Sequence, residues 1–198
     1  MLRCTVALFC LCLLTNFANA QVLPREGSAL NYRIIGFKFP ERQGVVQERL
    51  EIAKGIFSDG TEFARHIVLS QPINSNKVVA EVPSFGQEYT WRILPSGTSS
   101  KKASAVFYHF RTNICPYVDS NLYRLRVEKA ATKYNDAYVM IDHTRAIYDM
   151  NGKPVWFLYQ FGDKVDFEVR DLKVTQQGTI TFLMENDGIN EVDYDGNV

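Results

Sequence analysis

Tyr138-Val-Met-Ile-Asp142 leading to Asp149-Met-Asn-Gly152 recurs 44 residues later as Phe182-Leu-Met-Glu185 leading to Asp193-Tyr-Asp-Gly196. A β-rich unit that repeats at such a period is about the size of one four-stranded propeller blade, because a sheet that cannot bury its apolar face alone buries it against the next copy. In the first copy the Asp-Gly turn feeds the apolar run Pro154-Val-Trp-Phe-Leu-Tyr159. In the second it reaches Val198 directly. The expected partner strand of that hairpin lies beyond Val198, so the chain reads as the front end of a longer protein.

The region before the repeat has a different rhythm. Between Asn31 and Asn113 short alternating runs are separated by turn signals at Pro40, Ser58-Asp-Gly60, Gln71-Pro72 and Pro83-Ser84. Glu88-Tyr-Thr-Trp-Arg-Ile93 places Tyr89, Trp91 and Ile93 on one face and Thr90 and Arg92 on the other, the period of a half-buried strand. Ala105 to Phe110 likewise groups Val106, Tyr108 and Phe110. Tyr32–Phe39, Arg49–Ile56, His66–Leu69 and Lys77–Val82 complete six expected strands with no convincing helix among them. Six strands in this length predict an immunoglobulin-like or fibronectin-type sandwich.

The expected fold class is therefore all-β, an N-terminal immunoglobulin/fibronectin-like sandwich over 21–118 followed at 119–198 by the first blade and part of the second blade of an incomplete β-propeller. The boundary falls in Cys115 to Asn121. After it, Leu122-Tyr-Arg-Leu-Arg-Val127 reads as an edge or outer-rim strand, whose basic residues discourage promiscuous pairing. The first copy then parses as strand Ala137–Ile141, bend His143–Arg145, strand Ala146–Tyr148, tight turn Asp149–Lys153 and strand Val155–Tyr159. Val165–Val174 and Thr179–Met184 flank a turn at Gln176-Gln-Gly178.

The N-terminus sets the compartment. Arg3, the apolar run Val6 to Leu14 and Ala18-Asn-Ala20 form a secretory signal over residues 1–20, with cleavage after Ala20. The apolar run is short of the roughly 20 residues that span a bilayer, so no membrane span is expected. Cleavage removes Cys4, Cys10 and Cys12 and leaves Cys115, which excludes a disulfide framework within this chain. Cys115 has no sequence-local base and reads as a buried thiol. The 22 basic and 22 acidic residues balance, with no basic run longer than Lys101-Lys102. That argues against nucleic-acid binding, which needs a concentrated cationic face.

Few residues invite chemistry. The two Asp-rich turns resemble the opening of calcium loops, but Asn-Gly and Asp-Gly supply the positive φ of a hairpin turn without an ion, so no metal is expected. Catalysis by any of the three histidines, His66, His109 and His143, needs a second group that orients the imidazole; Asp142 and His143 are adjacent in sequence and on a strand would point to opposite faces, so structural or surface roles are expected for all three. Acidic pairs such as Asp163 with Asp166, or Asp142 with Asp149, fit solvated turns. No phosphate loop, nucleophile elbow, zincin or Cys-x-x-Cys motif is present, and no cofactor is expected.

Ala137-Tyr-Val-Met-Ile-Asp142, Ile147-Tyr-Asp-Met-Asn-Gly-Lys-Pro-Val-Trp156, Val169-Arg-Asp-Leu-Lys-Val174, Gln177-Gly-Thr-Ile-Thr-Phe-Leu183 and Ile189-Asn-Glu-Val-Asp-Tyr-Asp-Gly-Asn197, in that order, resemble the opening of the arylsulfotransferase family propeller. The resemblance spans about Leu122 to Val198. It implies a secreted or periplasmic enzyme that moves a sulfo group from a phenolic sulfate donor to a phenol acceptor through a transiently sulfonated histidine. The family's catalytic histidines and arginine belong to later blades, so no catalytic residue is expected before Val198, and this chain alone is expected to be inactive. A second reading is a non-catalytic binding or adhesion module with Tyr117, Tyr123 and Tyr159 as contact residues. A third is a quinone-dependent dehydrogenase-like propeller, whose cofactor site would also lie beyond Val198.

Overall fold

The computed structural model describes residues 22–41, 47–96, 105–116, 125–129, 132–165, 167–185 and 187–197. The expected signal segment 1–20, the centre of the expected boundary at 117–121, Leu122 to Arg124, Lys101-Lys102, Asp166 and Val198 lie outside them. The fold is mostly β-sheet with one α-helix, and none of its four sheets among the described residues is closed.

The N-terminal unit runs β1 (Ser28–Leu30), β2 (Ile34–Lys38), β3 (Glu48–Lys54), α1 (Gly60–Arg65), β4 (Ile67–Ile73), β5 (Lys77–Glu81), β6 (Glu88–Pro95) and β7 (Tyr108–Thr112). A five-stranded sheet in the order β1-β7-β6-β3-β4 faces a two-stranded sheet, β2-β5. Every pairing is antiparallel except β1 with β7. Alternate residues, Leu50 and Ile52 on β3, Tyr89, Trp91 and Ile93 on β6, and Phe110 on β7, meet Ile35, Phe37 and Ala80 from the smaller sheet in one core. Phe37 sits edge-on to Trp91, with ring centroids 5.1 Å apart. Burying one such side chain contributes about 1.5–3 kcal/mol.

The second face of β6 is buried too, where the alternation predicted exposure. Arg92 is fully buried and donates through Nε and Nη2 to Glu51 Oε2 at 3.1 and 2.9 Å. Its guanidinium lies 4.2 Å from the Phe63 ring centre and 5.3 Å from that of Phe107. Phe63 comes from α1, which replaces the expected break at Ser58-Asp-Gly60. Asp59 caps this helix, its Oδ1 accepting from the backbone of Thr61 and Glu62 at 2.9 and 3.0 Å. A polar strand face is thus covered by an aromatic lid, which a period-2 pattern cannot reveal. A second correction is β4, which runs straight through the expected break at Gln71-Pro72; as an edge strand it tolerates proline.

Two three-stranded antiparallel meanders follow. The first comprises β8 (Tyr138–Ile141), β9 (Ala146–Asp149) and β10 (Pro154–Phe157); the second comprises β11 (Val169–Val174), β12 (Ile180–Met184) and β13 (Gly188–Val192). Their turns are congruent. Asp149 Oδ1 accepts from the backbone N–H of Asn151 and Lys153, and Asp193 Oδ1 from those of Asp195 and Asn197, all at 2.8–2.9 Å. Each turn is closed by a backbone bond from its aspartate to the residue four on, and each carries a glycine at φ +78° or +86°. Thr175–Thr179 repeats the scheme with Gly178 at φ +82° and Thr175 Oγ1 as acceptor.

The repeat is not uniform along the hairpin. Tyr138 pairs with Asp149 and Met140 with Ile147, whereas Met184 pairs with Gly188 and Ile180 with Val192. The 44-residue offset therefore holds for β9, β13 and their turns, but the β12 pairing is shifted by three residues relative to β8. The sequence match of Met140 with Met184 is not a match of position. The connections absorb the difference: residues 142–145 form a 3₁₀ turn ending in Arg145 at φ +52°, while the β12–β13 connection is shorter.

The first meander is a central layer. One face packs Ile147, Trp156 and Leu158 against Val169, Leu172, Ile180 and Phe182 of the second meander. The other packs Ala146, Tyr148 and Phe157 against Phe85 and Cys115 of the N-terminal unit. Its β10 edge is closed by residues 31–33: Arg33 N donates to Val155 O at 2.9 Å, Phe157 N to Asn31 O at 3.0 Å, and Tyr32 bridges Trp156. The expected strand at Leu122–Val127 is not formed over its described part, Leu125–Val127, where Leu125 packs instead beneath the Phe85–Tyr148 cluster.

A methyl group on Gly152 would lie 2.6 Å from Leu125 O, whereas one on Gly178 meets nothing within 4 Å. Gly178→Ala should cost about 1–2 kcal/mol from its backbone angle, and Gly152→Ala about 1–3 kcal/mol more for the collision; thermal unfolding of the two variants separates these contributions. Glu51→Ala, which removes the carboxylate bonded to the buried Arg92 guanidinium, should destabilise by about 3–5 kcal/mol in denaturant titration.

Candidate functional site

Three units converge on an apolar cleft of about 780 Å³, bounded by Tyr32, Ile34 and Val79 from the N-terminal unit, Tyr138, Met140 and Trp156 from the first meander, and Val174 and Tyr194 from the second. β8 has no strand on its outer side among the described residues, so Tyr138 and Met140 are left facing solvent at the cleft. The floor is ordered by hydrogen bonds: Trp156 Nε1 donates to Tyr194 O at 2.8 Å. Burial, then the charge of Asp195 and the hydrogen bond to it, and then the charge of Asp193 push the Tyr32 phenol well above the usual tyrosine range.

A second, more polar cleft of about 640 Å³ lies between the two meanders and contains His143, Arg145, Tyr159 and Arg170. Two of its charged groups, Arg145 and Asp142, bond the backbone around it. Arg145 Nη1 donates to Val165 O and Phe167 O, both at 3.2 Å, with its guanidinium 4.3 Å from the Phe167 ring centre. Asp142 accepts from Asp171 N at 2.8 Å and Leu172 N at 3.0 Å, pinning the irregularity in β11 where Asp171 adopts φ +59°. Asp142 and His143 share a 3₁₀ turn, where the bend at His143–Arg145 was expected, and the carboxylate is directed to β11.

The other histidines are placed apart from that turn. His66 ends α1, with Nδ1 2.9 Å from Glu62 O and its ring stacked on Phe57 at 4.8 Å. His109 Nδ1 lies 2.7 Å from Glu26 Oε1, and Nε2 lies 3.2 Å from Phe57 O. Both flank Phe57, a convergence that the sequence spacing does not signal. Cys115 is buried with Phe85 and Tyr148. Tyr159 is exposed, and Tyr117 and Tyr123 lie outside the described residues. Among the described residues no cluster of three or more His, Cys, Asp or Glu is placed to hold a metal, and no helix is long and apolar enough to cross a membrane.

No protein-family profile, curated protein or solved structure matches this chain. The cleft and the turns that frame it are therefore read from their own geometry. Sequence reasoning missed Tyr32 and Asp195 because their contact joins positions far apart in the chain; the only local signal was the aromatic Tyr32 at the head of an alternating run.

Burial pushes the Asp193 carboxyl up, but the Asn197 side chain and the backbone N–H groups of Asn197, Asp195 and Gly196 outweigh it and hold the carboxyl below its ordinary value. A depressed folded value means the turn's contribution is complete above the unfolded carboxylate pKa of about 3.9 and is lost as pH falls through the folded one. Asp193→Asn keeps an acceptor for Asn197 N but has nothing to protonate. The fall in melting temperature between about pH 5 and pH 2 should be shallower in this variant than in the parent protein.

Proposed function

We propose that this chain carries an immunoglobulin-like accessory sandwich over 21–118 and the opening of an arylsulfotransferase-like β-propeller over 119–198, exported by a signal peptide cleaved after Ala20. The observation that carries the propeller reading is the pair of consecutive meanders packed face to face, with congruent five-residue turns 44 residues apart. Sheets that stack their faces in chain order are the unit from which radial repeats are built.

The sandwich reading is supported by strand order. The order β7-β6-β3-β4 is the one that strands G, F, C and C′ take in a variable-type immunoglobulin sheet, and the separate pair β2 and β5 corresponds in chain order to B and E. Tyr89, near the start of β6, donates from its hydroxyl to Ser84 O at 2.9 Å and accepts from Ser84 N at 3.2 Å. A tyrosine near the start of strand F bonded to backbone a few residues upstream is what the tyrosine corner of such folds does, and it supports the reading.

In the reaction implied by the family resemblance, an imidazole nitrogen attacks sulfur and phenolate leaves. The acceptor phenol oxygen then takes the sulfo group and returns the imidazole, with cationic side chains neutralising the sulfonyl oxygens. His66, His109 and His143 are assigned no part in it. Sequencing the transcript past the Val198 codon tests the reading. A frame that continues through further repeats with histidines in their loops should encode a protein that exchanges sulfo groups between an aryl sulfate and a phenol without a nucleotide donor, while residues 21–198 alone show no turnover. A full-length product inert in that exchange would overturn the sulfotransferase reading.

A further inference from the structure

The outer face of the β2–β5 sheet runs on beyond the apolar cleft. Ile35, Phe37 and Ala80 point into the core, so the alternate positions face outward: Ile34 opposite Glu81, Gly36 opposite Val79 and Lys38 opposite Lys77. Gly36 leaves a notch in the middle of this face. Its φ lies outside the left-handed region, and a methyl group placed on it would meet nothing within 4 Å. The cleft reaches that notch and a second hollow of about 400 Å³ starts from it, since Leu23, Gly36 and Val79 line both. The second hollow ends at Lys38 and Lys77. One trough therefore crosses the face, about 14 Å along β2 from Ile34 to Lys38.

The two ends of the trough differ in charge. At the Ile34 end Asp195 accepts a hydrogen bond from the Tyr32 phenol, and Glu81 is paired with Arg33. At the other end two ammonium groups share one cross-strand position, and among the described residues neither has an acceptor or a counter-ion. Like charges directly opposite in an antiparallel pair destabilise it, so an anion bound here relieves a repulsion. Between the ends the lining is apolar. Val79, Tyr138, Met140, Val174 and Tyr194, all exposed, converge on it from the N-terminal unit and both meanders. Exposed apolar surface gathered in one place marks a binding site. Every wall comes from residues 23–194.

We propose that this trough binds a free single-chain amphiphile with an anionic head, of the fatty-carboxylate class. The carboxylate lies between the Lys38 and Lys77 ammonium groups, and the hydrocarbon chain passes over Gly36 towards Tyr138, Met140 and Val174. The acidic end sets the direction, because the reverse placement would bring the carboxylate to Asp195. This goes beyond the propeller reading and does not rest on it.

The probe is dodecanoate, added below its micellar concentration to the purified chain. Saturable one-to-one binding by calorimetry is the expected result. Dodecyltrimethylammonium, with the same chain and the opposite charge, should bind at least about tenfold more weakly. Replacing both lysines, Lys38→Gln with Lys77→Gln, should weaken dodecanoate by a similar factor and remove the preference between the two amphiphiles. Gly36→Leu should abolish binding by filling the notch, and an undiminished melting temperature verifies that it folds, as a strand position with open space above it allows. Equal affinity for the two amphiphiles, dodecanoate binding that survives either the lysine replacements or Gly36→Leu, binding to anionic lipid vesicles but not to monomeric dodecanoate, or no saturable binding to the folded chain would each overturn the proposal.

Discussion

The backbone pairing of Asn31–Arg33 with Val155–Phe157 is the contact on which the other layers depend. β10 lies between two apolar clusters, so both of its faces are dry, and an uncovered edge there would leave amide groups buried without partners at a cost of about 1–3 kcal/mol each. Arg33 extends the seam. It is buried, and its Nε donates to Pro154 O at 2.9 Å while Nη1 reaches Val82 O at 3.1 Å and Glu81 at 2.7 Å. One side chain thus fixes the end of β5, the start of β2 and the start of β10 together, and the clusters on either side of the first meander are aligned by that fixture.

The turns solve a different problem with the same economy. Each must reverse the chain in five residues, which leaves the amide at its far end pointing inward. The side-chain oxygen of Asp149, Thr175 or Asp193 accepts that amide, and a glycine supplies the left-handed angle three residues on. An aspartate used in this way is already coordinated by backbone N–H groups. The resemblance of Asp-x-Asx-Gly to a cation loop arises from local hydrogen bonding that requires no ion.

Strands whose alternation matches a single core were legible in the sequence: Tyr89, Trp91 and Ile93 do share a face, and the turns at Asp149, Gly178 and Asp193 fall where glycine and aspartate spacing puts them. What escaped were features that depend on what covers a strand. Arg92 reads as solvent-facing because nothing local announces that Phe63 and Phe107 will lie over it, and Thr90 because its hydroxyl's partners, Gly55 O and Phe57 N, come from a segment more than thirty positions away. The helix carrying Phe63 is six residues long, below the length at which periodicity speaks. The pairing shift between the two hairpins was hidden because the residues Tyr138-Val-Met and Phe182-Leu-Met match in type while their partners differ. The cleft around Tyr32 was invisible for a related reason: its walls come from segments that meet only in three dimensions.

The seam between residues 31–33 and β10 also orders events in time. Arg33 and Pro154 are separated by 121 positions, so a chain emerging residue by residue presents the head of β2 long before its partner exists. Local hairpins in the sandwich can close early, but the strand at residues 31–33 remains an open template until the first meander has been made. The N-terminal unit therefore lacks the partner that closes its 31–33 edge until the segment carrying Trp156 has been made.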